Sequence, residues 1–160
     1  MSETLADVKN LLKGGEFLVK ESNFQDVFTP EDLNEEQQMI VDTVVSFVDT
    51  EITPIYDRIE HQEPGLTESL LLKAGELGLL GLAIPEEYGG MGKDFNTNSL
   101  LIEYLAKSRS FSLSLGAHIG IGTLPIVYFG NDQQKAHYLP KLASGELKAC
   151  YCLTEPSSGS

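Results

Sequence analysis

The sequence predicts an all-α fold that gives way, at its C-terminal end, to the first strand of a β-type domain. Three observations predict it. Apolar residues recur at helical spacing through most of the chain, so each run presents one apolar stripe. Helix-start signatures and glycine stops punctuate those runs. Over Leu147–Thr154 the period switches to the alternation of a strand.

Leu5, Val8, Leu11 and Leu12 open the chain at helical spacing, and Gly14-Gly15 stops that short amphipathic helix. Phe17, Leu18, Val19, Phe24, Val27 and Phe28 follow. Residues 1–32 therefore read as an extension that packs onto a body rather than a free tail. Thr29-Pro30-Glu31-Asp32 has the form of a helix start: a capping hydroxyl, proline at the first helical position, then acids against the positive helix end.

Asn34 and Gln37 make a second start, of the capping-box kind. Ile40, Val44, Phe47 and Val48 form one stripe, and the helix is expected to reach about Ile59 with a kink near Pro54. A loop with Pro64-Gly65 follows, and Thr67 is placed to cap a helix carrying Leu70, Leu71, Ala74 and Leu77 up to Gly78. The run Leu79–Ile84 is short, and its Gly81 and Pro85 favour an extended connection packed on helices over a strand. Gly89-Gly90-Met91-Gly92 is a turn; Asp94 or Asn96 then caps a helix that buries Leu100, Leu101, Tyr104 and Leu105.

Phe111–Gly130 contains no Asp, Glu, Lys or Arg. Its length fits a membrane span, but Gly116, Gly120, Gly122, Gly130, Pro125 and His118 dilute it. A helix buried centrally in a soluble body is the better reading. Gly120-Ile121-Gly122 lacks the preceding strand and third glycine of a dinucleotide loop, so close helix packing is expected there. Asp132 begins a helix with Ala136 and Leu139, and Pro140 is expected to break it before Ser144-Gly145. The helical body is thus residues 33–146. In Leu147–Thr154 one face reads Leu, Ala, Tyr, Leu and the other Lys, Cys, Cys, Thr. A lone strand leaves an open edge, so residues 147–160 read as the start of a β-domain that continues past Ser160.

Composition narrows function. In 160 residues, Lys plus Arg is 11 and Asp plus Glu 24, a net charge of −13. Nucleic acid and anionic membrane are disfavoured as partners, because phosphate neutralisation needs clustered positive charge. An anionic cofactor stays possible through backbone N–H groups. The opening MSETLADVKN has neither the basic region nor the apolar stretch of a signal peptide. Cys150 and Cys152 require no disulfide, so a cytoplasmic location is expected. The pair falls on one strand face, but His61, His118 and His137 are scattered singly, and no metal site is expected. His118 reads as a packed or capping residue, and the acids Glu31-Asp32 and Glu35-Glu36 as helix-start charges.

The strand runs into Thr154-Glu155-Pro156-Ser157-Ser158-Gly159-Ser160. Thr154 could hydrogen-bond a polar ring edge, and the groups around Gly159 and Ser160 a phosphate oxygen. A plain Ser/Gly turn is the alternative. The whole string Tyr151-Cys152-Leu153-Thr154-Glu155-Pro156-Ser157-Ser158-Gly159-Ser160 closely resembles the flavin-binding signature of the acyl-CoA dehydrogenase family. Gly78-Leu79-Leu80-Gly81-Leu82 with Ile84-Pro85-Glu86-Glu87-Tyr88-Gly89-Gly90, and Gln134-Lys135 through Tyr138-Leu139-Pro140-Lys141-Leu142-Ala143-Ser144-Gly145-Glu146, resemble two further family segments in the same order and spacing. The resemblance covers about Leu33 to Ser160. The extension, with Lys13-Gly14-Gly15-Glu16-Phe17-Leu18 and Phe28-Thr29-Pro30-Glu31-Asp32, looks most like the very-long-chain branch.

The resemblance implies a helical N-terminal domain, a β-domain, a C-terminal helical domain and bound FAD. Tyr151 to Ser160 would line the flavin, with Leu153 and Thr154 by the isoalloxazine ring and Gly159 and Ser160 nearer the pyrophosphate. Ser160 would also touch the acyl-CoA substrate. The implied reaction oxidises fatty acyl-CoA to trans-2-enoyl-CoA and passes electrons to an electron-transferring flavoprotein. The family's base is a glutamate of the C-terminal domain, so no catalytic residue is expected in this chain, and Glu155 reads as a turn residue. The chain alone is expected to be inactive, and the complete protein to be a homo-oligomer. The alternatives are a non-catalytic helical interaction or assembly module, or another flavoenzyme of the same fold.

Overall fold

The computed structural model describes residues 12 and 14–159. The helix expected over Leu5–Leu12 lies outside the described residues except for Leu12, and so does Ser160. The chain divides into two compact units, Met1–Gln38 and Met39–Ser160.

In the first unit, a tight turn spans Gly14–Leu18, and Phe17, Leu18, Val19 and Phe24 are exposed. The Leu12 N–H donates to the Asp26 carbonyl at 2.9 Å. Asn23 and Asp26 form a capping box around Phe24–Asp26. The expected start at Thr29 is a single turn, Pro30–Asp32, closed by the Thr29 N–H and hydroxyl on the Asp32 carboxylate at 3.0 and 3.2 Å. The longer helix starts at Asn34. Its side chain accepts from the Gln37 N–H at 2.8 Å, and Gln37 accepts from the Asn34 N–H at 3.1 Å.

That reciprocal cap opens α1 (Glu35–Phe47). A wider π turn, Val48–Ile52, and a tight turn, Thr53–Ile55, then lead into α2 (Tyr56–Glu60). Pro54 has no N–H to give and its ring crowds the preceding turn, so the ladder is rearranged around it rather than simply bent. α3 (Leu66–Glu76) begins earlier than expected. Gly65, at φ +79°, turns the chain, and its carbonyl takes the Ser69 N–H, so Thr67 lies inside the helix and is not its cap. Gly78, at φ +77°, ends α3 as predicted.

Residues 79–85 are not an extended connection but consecutive turns, with Gly81 N–H on the Gly78 carbonyl and Ile84 N–H on the Gly81 carbonyl, each at 3.1 Å. Folding the run this way buries Leu79, Leu80 and Leu82 in the main core and Ile84 in a second cluster. Gly90 closes against it: a Cβ there would sit 2.0 Å from the Ile84 oxygen. Asp94 caps α4 (Phe95–Leu105), accepting from the Thr97 N–H at 2.9 Å.

α5 (Ser110–Ala117), a π turn at His118–Gly122 and α6 (Leu124–Phe129) form one apolar run. It is long and apolar enough to cross a membrane by length and composition. It is helical as expected but not central. Phe111, Leu115 and His118 are buried, whereas Leu113 is 75 % exposed and Phe129 87 %. The body covers one side only; the other apolar side has no cover among the described residues.

α7 (Asp132–Ala143) starts at a capping box of Asn131 and Gln134 and passes straight through Pro140. One backbone bond is lost there, but Leu139, Leu142 and Ala143 are buried on the same face, and that burial holds the last turn in place. The main core joins Phe47, Ile52, Leu70, Leu101, Leu105, Phe111 and Leu115, with the Phe47 and Phe111 rings 6.0 Å apart. A smaller cluster holds Ile84, Leu139, Leu142 and Ala143.

No strand is present among the described residues. Leu147–Thr154, expected as a strand, has no ladder because nothing pairs with it; an isolated bridge between Glu155 and Ser158 stands beyond it. The all-α character of the body holds.

Asp94→Ala is expected to lower stability by about 1 kcal/mol, the usual worth of a helix cap, measured by urea unfolding at neutral pH. The Thr97 hydrogen bonds hold the Asp94 carboxyl below its ordinary value. The deficit relative to wild type should therefore shrink as pH falls through that lowered value, where wild type loses the same contribution.

Candidate functional site

The segment that carries the candidate site leaves the body at the end of α7. Gly145, at φ +76°, turns the chain, and the Leu147 N–H returns to the Lys141 carbonyl at 3.0 Å. Leu147 and Ala149 pack against the Leu139–Leu142 cluster, while Lys148 and Cys150 face outward.

His118 receives this segment. Its ring is 1 % exposed. Nε2 lies 3.0 Å from the Leu142 carbonyl, and the Ala149 N–H reaches Nδ1 at 3.0 Å. A carbonyl only accepts and an N–H only donates, so the ring is neutral, with its proton on Nε2. Burial pushes the ring below its ordinary basicity, the Leu142 carbonyl opposes that shift, and the charge of Lys148 adds to it. Gly122 sits opposite: a Cβ there would lie 2.6 Å from the Ala149 Cβ. The packed-residue reading of His118 was correct. Close packing holds at Gly122 but not at Gly120, where a Cβ would meet nothing within 4 Å.

Beyond Ala149 the chain is exposed from Cys150 to Gly159. The N–H groups of Cys150–Thr154 carry no backbone hydrogen bond among the described residues. Glu155 and Ser158 exchange two backbone bonds, at 2.8 and 3.1 Å, so Pro156-Ser157 forms the corner of a tight turn. Glu155 therefore contributes its backbone to the turn. The structure keeps Tyr151 to Gly159 together as one outward ribbon. Cys150 and Cys152 are free thiols, and no cluster of three metal-ligating side chains occurs among the described residues.

The donor set suits a flavin dinucleotide. The hydroxyls of Thr154, Ser157 and Ser158 and the unpaired N–H groups are neutral donors, and the approach to Gly159 is open. Neutral donors of this kind can serve a ring edge or a phosphate without side-chain charge. Exposed Tyr151 and Leu153 add apolar area.

A second feature was missed from the sequence. A cleft of about 690 Å³ opens between the 83–95 loop, α4 and the α5–α6 run. Pro85, Phe95, Ile102, Ile119, Leu124 and Tyr128 give it apolar walls, and Gly116 and Gly120 keep the α5 side low. The polar groups at its edge are engaged by backbone: Asn98 donates to the Lys93 and Asp94 carbonyls, and Ser99 to the Phe95 carbonyl. The cleft therefore offers apolar contact more than polar recognition. Spacing of Gly116 and Gly120 one helical turn apart was the available signal.

Comparison with known proteins gives a consistent result. The family model "Acyl-CoA dehydrogenase, N-terminal domain" matches residues 34–146. A probable acyl-CoA dehydrogenase of Bacillus subtilis is 49 % identical over 160 residues, which is all of this chain and 26 % of that protein. The human mitochondrial very long-chain specific acyl-CoA dehydrogenase is 39 % identical over 133 residues, 82 % of this chain and 20 % of that one. An acyl-CoA dehydrogenase from Bacillus anthracis, solved in complex with FAD, superposes with a TM-score of 0.85 at 49 % identity, covering 91 % of this chain and 26 % of that chain. A structure described as the electron transferring flavoprotein of Acidaminococcus fermentans gives a TM-score of 0.70 at 34 % identity, over 82 % of this chain and 34 % of that one. The chain thus spans about a quarter of the length of the Bacillus subtilis relative.

Two outcomes follow from the buried groups. The His118 ring is held below its ordinary value of 6.5, so the unfolded chain takes up the proton first. Stability should be full above that value and fall as pH drops below it; in urea unfolding between neutral pH and pH near 5, His118→Gln should flatten this dependence. The Thr123 hydroxyl is buried without a partner. Thr123→Val should raise stability by about 1 kcal/mol in the same assay.

Proposed function

The chain belongs to the acyl-CoA dehydrogenase family, and on that premise we propose that the whole protein is a FAD-dependent oxidoreductase that converts fatty acyl-CoA thioesters to trans-2-enoyl-CoA. The observation that carries the proposal is the outward ribbon Tyr151–Gly159, a set of neutral donors that follows a hydrogen-bonded root at Ala149. Its sequence resembles the family's flavin-binding signature. The FAD complex of the similar Bacillus anthracis protein supports the choice of cofactor.

The chemistry FAD supplies when bound is acceptance of the hydride that leaves the substrate β-carbon. This chain's part is to bind and orient. The Thr154 hydroxyl is assigned to the polar ring edge, and Leu153 and Tyr151 to apolar contact. The hydroxyl of Ser158 and the N–H of Gly159 are assigned to the pyrophosphate, and Ser160 to the pyrophosphate and acyl-CoA. Removal of the α-proton needs a carboxylate beside the thioester. The family resemblance assigns that carboxylate to a glutamate of the C-terminal domain rather than to Glu155, so the 160 residues alone are assigned no turnover.

The likeness to the Acidaminococcus structure supports an electron-transferring flavoprotein as the electron acceptor. The substrates proposed are fatty acyl-CoA thioesters as a class. A homo-oligomer and a cytoplasmic location, consistent with two free thiols, complete the proposal.

The whole protein should purify yellow, and anaerobic addition of a long-chain acyl-CoA should bleach the flavin band, while the 160-residue chain shows neither. Thr154→Val should weaken flavin binding by about 1 kcal/mol, roughly fivefold, by removing one donor. A whole protein that holds no flavin after reconstitution overturns the proposal.

A further inference from the structure

The motif residues make no described hydrogen bond to the helical body from Cys150 onward, so the body's polar hold on this segment acts at or before Ala149. Two features of the π turn His118–Gly122 meet there. His118 accepts the Ala149 N–H at Nδ1 and donates from Nε2 to the Leu142 carbonyl, each at 3.0 Å. Gly122 leaves room for the backbone itself: a Cβ on it would stand 2.6 Å from the Ala149 Cβ and 2.9 Å from the Ala149 carbonyl carbon. A π turn widens a helix locally and re-aims the side chains around it, and such turns recur at functional sites.

We infer that this π turn is a socket that sets the register of the flavin-binding ribbon, with His118 as a positioning residue for the cofactor and Gly122 as its seat. The inference rests on the functional reading above. Register matters because side chains alternate along an extended chain, so a slip of one residue exchanges the two faces. Held as it is, the chain turns Leu147 and Ala149 inward and Lys148 and Cys150 outward. A slip would carry the Lys148 ammonium toward the Leu139–Leu142 cluster and reverse the presentation of Tyr151, Leu153 and Thr154. The imidazole resists that slip in a way an apolar side chain cannot. It recognises one N–H on the ribbon and one carbonyl at the end of α7, and it is itself buried and cannot turn to solvent. Gly122 acts by shape alone, so the two halves of the socket are separable by mutation.

The test has two arms. In the 160-residue chain, the Ala149 amide should exchange with solvent about tenfold or more slowly than those of Cys150–Leu153, as expected for one buried hydrogen bond. His118→Phe should abolish that difference, and His118→Gln, which carries a donor and an acceptor on one amide, should restore most of it. Gly122→Ala leaves the imidazole in place and should accelerate the same amide; it also carries the test should His118→Phe not fold. In the whole protein, the FAD dissociation constant should rise about tenfold in His118→Phe and in Gly122→Ala, and recover in His118→Gln. A purely structural role for His118 would lower thermal stability without this pattern of rescue in flavin affinity. Unchanged Ala149 exchange in Gly122→Ala and in a folded His118→Phe overturns the socket. Accelerated exchange with unchanged flavin affinity overturns its role toward the cofactor. An unsubstituted whole protein that binds no FAD overturns the functional reading and the cofactor role together, while the exchange arm still decides the socket.

Discussion

A neutral imidazole ties the outgoing chain at Ala149 to the end of α7. His118 has no charge to desolvate and no polar atom left over: one nitrogen donates to the end of α7 and the other accepts from the outgoing chain. Both partners are backbone groups: the Ala149 N–H, and the Leu142 carbonyl, which also takes the Gly145 N–H at 3.3 Å. The Leu142 carbonyl belongs to the last turn of α7, where helices have no internal donor. The Ala149 N–H lies in a segment without a ladder. Without the ring, the Ala149 N–H would lose its partner, at a cost of about 1–3 kcal/mol if it stayed buried. That is why a polar residue belongs in the middle of the most apolar run of the chain.

The same run shows how one-sided the body is. Phe111 and Leu115 enter the core beside Phe47, while Leu113, Ile121, Tyr128 and Phe129 lie on the surface. With no charged residue on either side of the run, the exposed side gains nothing from water. Contiguous apolar surface of this kind marks an interaction site in soluble proteins. The ribbon leaves the body from the neighbourhood of the π turn that divides this run. A site assembled there would meet hydroxyls and amides from the ribbon and hydrocarbon from the helices.

Local chemistry was legible wherever a short-range interaction decides the outcome. The Asn34–Gln37 box, the Asp94 cap, the Pro54 break and the Gly78 stop each depend on residues within a turn of one another, and each is present. Long-range burial overrode the rest. Pro140 should break a helix, yet three buried side chains around it hold the turn. Thr67 is a good cap by type, but a left-handed Gly65 had already started the helix. Leu147–Thr154 has the alternation of a strand, and alternation without a partner makes no sheet. For Phe111–Gly130, lack of charge predicts central burial, yet it reports only that neither side is designed for water.

The candidate site was read from a string of ten residues and not from physics alone, since a Ser/Gly loop after an extended segment is usually a turn. The structure gives the turn its physical form, Glu155 to Ser158, and leaves the neighbouring donors facing out. What the sequence could not reveal was the support behind the string. His118 lies 31 positions before Ala149, and its spacing to the motif carries no helical or strand period. Gly122 belongs to a pair of glycines that looked alike, of which only one is crowded. Support of this kind becomes visible only when the chain has folded, because it is defined by where a backbone N–H ends up and not by which residue carries it. On the socket proposal, a change in one ribbon side chain removes a single donor, whereas a change in the socket shifts every donor at once.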